Sequence, residues 1–176
     1  MNNIKYILLL LIFACGNNNK DASVDVAQNT LEKDLAKYEN IWNSFLSGDT
    51  SVANENNFQK DVVVVTAKGD LVGIKAVKDF YMNYLNGFSN IEFTILDAFG
   101  QGERIVKHWN FKGTHTGDFF GIPATGNKLD LSGTTLVTMK DGKIAKEQDF
   151  FDMQSLILQL QKPSEEEVVV DDYTGI

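Results

Sequence analysis

Hydrophobic residues recur at two periods along this chain, and the change of period marks its architecture. Leu31, Leu35, Tyr38, Trp42 and Phe45 follow one another at spacings of four, three, four and three, the interval that lines one face of an α-helix. Glu32, Lys33, Asp34, Lys37 and Glu39 fall mainly on its other side. Asn29 or Thr30 offers an N-cap for this helix, and Gly48 with Asp49 a stop. A polar stretch, 50–60, holds at most a short helical turn. Asp61 to Thr66 contains four consecutive valines and reads as a strand ended by Lys68-Gly69-Asp70. Val77, Phe80, Tyr81 and Tyr84 then predict a second helix over 74–86, closed by Gly87.

From there the period becomes two. Ile91, Phe93 and Ile95 alternate with Glu92 and Thr94 over a strand at 91–98. After the turn Gly100 to Glu103, a strand at 104–112 puts Ile105, Trp109 and Phe111 on one face and Val106, His108 and Asn110 on the other. A Gly/Thr/Pro-rich loop, Gly113 to Gly126, precedes an extended run at 128–139. Asp141-Gly142 between that run and the strand at 144–151 is a strong hairpin signal. Met153 to Gln161 closes the pattern as a short helix. Helices first and consecutive strands afterwards predict an α+β fold: a cone-shaped, strongly curved antiparallel sheet with the N-terminal helices on its concave face. An apolar pocket between helices and sheet is the expected site of function.

The ends stand apart. Lys5 and the apolar run Ile7 to Phe13 form a signal-peptide pattern over residues 1–14. Ile12-Phe13-Ala14-Cys15 resembles the lipobox of bacterial lipoproteins, which implies lipidation of Cys15, the single cysteine. The expected localisation is the bacterial cell envelope, lipid-anchored, at the outer membrane; a free thiol is the alternative. Residues 15–27 are polar and read as a tether, 28–162 as one domain, and the acidic, proline-led 163–176 as a solvated tail. With 176 residues the chain can bury one core, and its net charge of -8 argues against nucleic acid as a partner.

Gly113-Thr114-His115-Thr116-Gly117, Phe120 to Gly126, Asp141 to Ile144, Asp152 and the closing Gln159-Leu160 stand in an order and spacing that resemble the SnoaL-like polyketide cyclase family of the nuclear transport factor 2-like superfamily. The resemblance extends upstream to about Leu31. It implies the cone-shaped α+β barrel, no cofactor, a small apolar ligand, and an aspartate late in the chain as acid/base for intramolecular ring closure. Dimers are common among similar proteins, so a homodimer is one expectation. In this family's pattern Asp152, in the Asp-x(6)-Gln-Leu spacing, is the first choice for the acid/base and Asp149 the second.

The residues themselves keep two readings open. Asp149 and Asp152 lie beside Phe150 and Phe151, and a carboxylate among apolar groups is held closer to neutrality. Strand parity puts the two on opposite faces, and Asp152 equally suits an N-cap for the helix that follows. His108 stands where relatives often carry arginine, which alters the pocket's charge if it points inward; Gln148 stands where they often carry tryptophan, and an amide in place of an aromatic wall suits a more polar ligand. His108, His115 and Gln148 are candidate orienting groups, with Tyr38, Trp42 and Tyr81 as pocket wall or ordinary core. No metal site is expected, because no third ligand joins His108 and His115 at a recognisable spacing. The sequence therefore leads to a lipid-anchored domain that binds a small apolar carbonyl compound and acts as a cyclase or isomerase. A non-catalytic binding or interaction module is the alternative.

Overall fold

The structure is a computed structural model that describes residues 18–162, with side chains from residue 28 onward. Cys15 and the segments read as a signal peptide and as an acidic tail lie outside the described residues. Helix α1 (Asn18–Leu46) is followed by a 3-10 turn at Thr50–Val52, β1 (Phe58–Thr66), β2 (Gly69–Val72) and α2 (Ile74–Gly87). Then come β3 (Phe88–Gln101), β4 (Arg104–His115), β5 (Lys128–Lys140), β6 (Lys143–Phe151) and α3 (Met153–Gln161). The fold is α+β, as the period change predicts.

Two differences from the sequence reading concern backbone rather than pattern. α1 begins at Asn18, so neither Asn29 nor Thr30 caps it, and most of the segment read as a tether is helical. The predicted all-antiparallel sheet is a mixed one. Its six strands run in the order β2-β1-β6-β5-β4-β3, and β1 pairs with β6 in parallel while every other neighbouring pair is antiparallel. Hairpins dictate the direction of β3 to β6. β1 reaches β6 only after a long excursion through α2 and four strands, so no tight turn fixes its direction.

The β5–β6 hairpin turns on Asp141 and Gly142, both with positive φ (51° and 68°). That pair of angles matches the twist of two-residue hairpin loops, which is why an Asp-Gly was legible there. Just beyond the turn, Met139 pairs with Ile144 but Thr138 pairs with Lys146. Ala145 is the extra residue of a bulge, which resets the alternation of β6. From there Glu147 faces Val137 and Asp149 faces Thr135, so both carboxylates follow the buried, concave side of β5.

Two apolar clusters fill that side. The first gathers Tyr38, Ile41, Trp42 and Phe45 of α1 with Val77 and Tyr81 of α2 and Val62, Val64, Ile105, Val137 and Ile144 of the sheet. The second gathers Phe88, Phe111, Phe119, Leu129 and Leu131 with Leu156 and Leu160 of α3. Gly133 has a specific reason to be glycine: a Cβ there would lie 2.3 Å from the Trp109 indole, which lies across it. α3 is fixed at both ends. Asp152 Oδ1 accepts from the Ser155 amide at 3.0 Å, and Gln159 makes two hydrogen bonds to the backbone of Asp130, at 2.8 and 3.0 Å.

Candidate active site

Alternation along the central strands brings one line of polar groups to the concave face. β4 buries Ile105, Lys107, Trp109 and Phe111 in succession, β5 buries Thr135 and Val137, and β6 adds Glu147 and Asp149. α1 and α2 cover this line. Between them remains a hollow of about 40 Å³, walled by Trp42, Leu46, Tyr81, Tyr84, Phe93, Lys107, Trp109, Phe111 and Asp149. Its wall is aromatic apart from Leu46, one cation and one carboxylate.

Asp149 is held by two donors. Tyr81 Oη donates to its Oδ2 at 2.7 Å, and Thr135 Oγ1 donates to its Oδ1 at 2.5 Å. Thr135 in turn accepts from the Trp109 indole at 3.0 Å, so Trp109, Thr135 and Asp149 form one directed chain in which each bond polarises the next. Each Asp149 oxygen keeps a second lone pair for a ligand proton. Burial, with the nearby Asp149 charge, holds the Tyr81 hydroxyl well above its ordinary range, so Tyr81 stays a neutral donor.

Glu147 sits one inward position along the same strand, completely buried. Its Oε1 accepts from Tyr38 Oη at 2.6 Å and from the Trp42 indole at 3.0 Å, while Oε2 has no partner. Burial pushes its pKa up to about 7, against the lowering pull of Lys107 and of the two hydrogen bonds. Lys107 is 5 % exposed. Its Nζ lies over the rings of Tyr38, Trp42 and Phe93, 5.0 to 5.3 Å from their centroids. Burial pulls its pKa down, opposed by Glu147 and Asp149.

Of the residues the sequence singled out, the structure brings Trp42, Tyr81 and Asp149 together at the hollow. Tyr38 lies behind its wall, with its hydroxyl committed to Glu147. Asp152 is exposed and caps α3; the strand has already ended, so its carboxylate turns to the helix amides and not to the hollow. His108 is exposed on the convex face, because its neighbours Lys107 and Trp109 both point inward. Gln148 is also on the convex face, opposite Leu136, and the wall position the sequence suggested for it falls to Asp149. His115 is fully buried in the second cluster. Its Nδ1 pairs with Thr125 Oγ1 at 3.0 Å and its ring lies against Phe88.

Sequence reasoning passed over Glu147 and Lys107 as site residues. The signal was present: a lysine at the inward parity of an otherwise apolar strand face, and a glutamate sharing that face with Asp149. Among the described residues no cluster of three or more His, Cys, Asp or Glu side chains could hold a metal ion, and no described helix is long and apolar enough to cross a membrane.

Known proteins sharpen this picture at the level of family. Residues 35–160 match the model of the family described as SnoaL-like polyketide cyclase. Among solved structures, a candidate SnoaL-like polyketide cyclase from Jannaschia sp. CCS1 is similar, with a TM-score of 0.71 at 18 % identity over 76 % of this chain and 95 % of that one. IdmH, a candidate polyketide cyclase from Streptomyces antibioticus, gives 0.61 at 19 % identity over 72 % of this chain and 97 % of its own. A Catenulispora acidiphila protein with a ketosteroid isomerase-like fold, in complex with trimethylamine, gives 0.57 at 18 % identity over 69 % and 89 %. At these identities the likeness establishes the fold alone. No curated protein matches the sequence. The family match spans most of the chain, and the chain belongs to the SnoaL-like polyketide cyclase family.

Proposed function

We propose that this SnoaL-like domain binds a small, largely apolar carbonyl compound in the hollow beneath α1 and α2, and that Asp149 moves a proton on it. The observation that carries the reading is the position of Asp149: a carboxylate in an aromatic wall, oriented by Tyr81 and Thr135. A base so placed takes a proton from the carbon beside a carbonyl, and the resulting enol or enolate can close a ring or return the proton elsewhere. Water exclusion by the surrounding rings strengthens every electrostatic contact made there. The test is deuterium exchange at the carbons beside the carbonyl of butan-2-one, followed by proton NMR in heavy water. The reading requires exchange faster than in buffer, and loss of the excess in Asp149→Asn.

The volume of the hollow favours a second reading. About 40 Å³ is room for roughly three water molecules, whereas pockets for drug-sized ligands measure about 300–1,000 Å³. A ligand of more than a few heavy atoms enters only if a ring yields. Tyr84, which also packs on Phe119 and Phe120 of the 116–126 loop, is the side chain best placed to do so. A protein that keeps this hollow shut is a binding or interaction module of the same fold.

We also propose attachment to the cell envelope through lipidated Cys15, on the strength of Ile12-Phe13-Ala14-Cys15. Two or more acyl chains anchor stably where one does not. Metabolic labelling with an alkyne fatty acid tests this: the label is expected on the full chain and absent from Cys15→Ser.

A further inference from the structure

Proton transfer by Asp149 leaves one group of the hollow without a task. Lys107 comes from the middle of β4, where its neighbours of the same parity, Ile105 and Trp109, are core residues. Burying a lysine is costly unless its charge is paired and hydrogen-bonded, yet among the described residues Lys107 Nζ makes neither a hydrogen bond nor a direct ion pair. It stands over three aromatic rings and lines the hollow beside Asp149. An amine at the end of a flexible stem, unbonded and facing an apolar space with a carboxylate in the same wall, has the geometry of a nucleophile awaiting an electrophile.

We propose that Lys107 captures a small aldehyde or ketone in this hollow as a Schiff base. The proposal rests on the carbonyl-ligand reading above and extends it from proton transfer to covalent binding. The neutral Nζ attacks the carbonyl carbon, a C–N bond forms, and the C=O π pair moves to oxygen, which takes up a proton. The nitrogen passes a proton to this hydroxyl, the C–O bond breaks with departure of water, and the nitrogen lone pair forms the C=N⁺ bond. Nothing is oxidised or reduced, and hydrolysis returns the amine. Asp149 is then beside the acidified carbon next to the iminium, where removal of its proton gives an enamine.

Before the attack the ammonium must give up a proton. The groups that face it are Tyr38 from α1, Tyr81 and Tyr84 from α2, and Glu147 and Asp149 from β6. Burial holds all three tyrosine hydroxyls above their ordinary range, so none of them takes a proton from an amine. Glu147, whose pKa is pushed up to about 7 and whose Oε2 is unpartnered, is the natural acceptor. The ring faces favour the ammonium, but the burial they impose works the other way and prevails, leaving the pKa of Lys107 lowered.

The experiment is reductive trapping: the full domain is treated with propanal and cyanoborohydride near neutral pH, and the propylated lysines are located by peptide mass spectrometry. Lys107 is expected to label ahead of the exposed lysines, since it lines the hollow that gathers the aldehyde and burial raises the neutral fraction of its amine. Labelling confined to surface lysines overturns the proposal, and this readout on the native chain needs no variant. Lys107→Arg, checked for a native circular dichroism spectrum, is expected to lose the fast label. Butan-2-one exchange separates the two readings. Exchange that persists without any label on Lys107 overturns the nucleophile and leaves proton transfer by Asp149 standing. A label on Lys107 without exchange supports the nucleophile and overturns proton transfer.

Discussion

The concave face of one sheet is packed in two ways. Toward β1 and β6, under α1 and α2, it encloses a glutamate, a lysine and an aspartate among aromatic rings. Toward β3 and the start of β5, under α3 and the 116–126 loop, it encloses Phe88, Phe111, Leu129, Leu131, Leu156 and Leu160, with His115 as its polar member. Trp109 stands between them, its ring in the apolar cluster and its N–H in the polar chain. The apolar end follows the ordinary logic of a core, in which area removed from water stabilises the fold. The polar end opposes it, because each buried charge carries a desolvation penalty that stability alone would not select. Such departures concentrate at functional sites, and here the departure coincides with the hollow.

The contrast breaks most visibly at Glu147. Glu147→Ala strands the donors of Tyr38 and Trp42 and removes one of the two carboxylates that act on Lys107. We expect a loss of roughly 4 kcal/mol, read as a shift in the urea midpoint.

Its titration gives the next largest effect. The folded pKa of about 7 lies above the ordinary 4.5, so between those values the folded protein keeps a proton that the unfolded chain releases. This contribution is fully present below about pH 4.5 and fades as the pH rises to about 7, by roughly 3 kcal/mol. Glu147→Gln flattens that slope in urea titrations across the window. In the apolar end, Leu160→Ala is expected to lower stability by about 3 kcal/mol through the lost burial and the cavity it leaves. That loss is the same at both ends of the pH window, which sets the two regions apart.

The fold was legible because its elements announce themselves locally. The helical stripe Leu31 to Phe45, the alternation in β3 and β4, and the Asp-Gly turn of β6 each need only a few neighbouring residues. The parallel β1–β6 pairing and the short strand β2 were not legible, since both depend on partners distant in sequence. The same limit governed the site. Parity set Asp149 and Asp152 on opposite faces of one strand, but Asp152 lies beyond the end of β6, and parity could not say that Asp149 faced inward. The Ala145 bulge, a property of strand pairing, resets the alternation just upstream of Asp149. The spacing Asp152 to Gln159 and Leu160 is real, and in this molecule it builds a helix: Asp152 caps it, Gln159 ties it to β5 and Leu160 buries it. Lys107 escaped notice because a single charged residue in a strand normally faces water.

The central claim is that the proton-moving carboxylate is Asp149, in the wall of the hollow, and the most direct measurement compares Asp149→Asn with Asp152→Asn in butan-2-one deuterium exchange. The account predicts that Asp149→Asn slows exchange by about 10²-fold or more with the fold intact. Asp152→Asn should exchange like the parent and lose at most about 1 kcal/mol of stability at the helix cap. Exchange that survives in Asp149→Asn, or fails in Asp152→Asn, would contradict it.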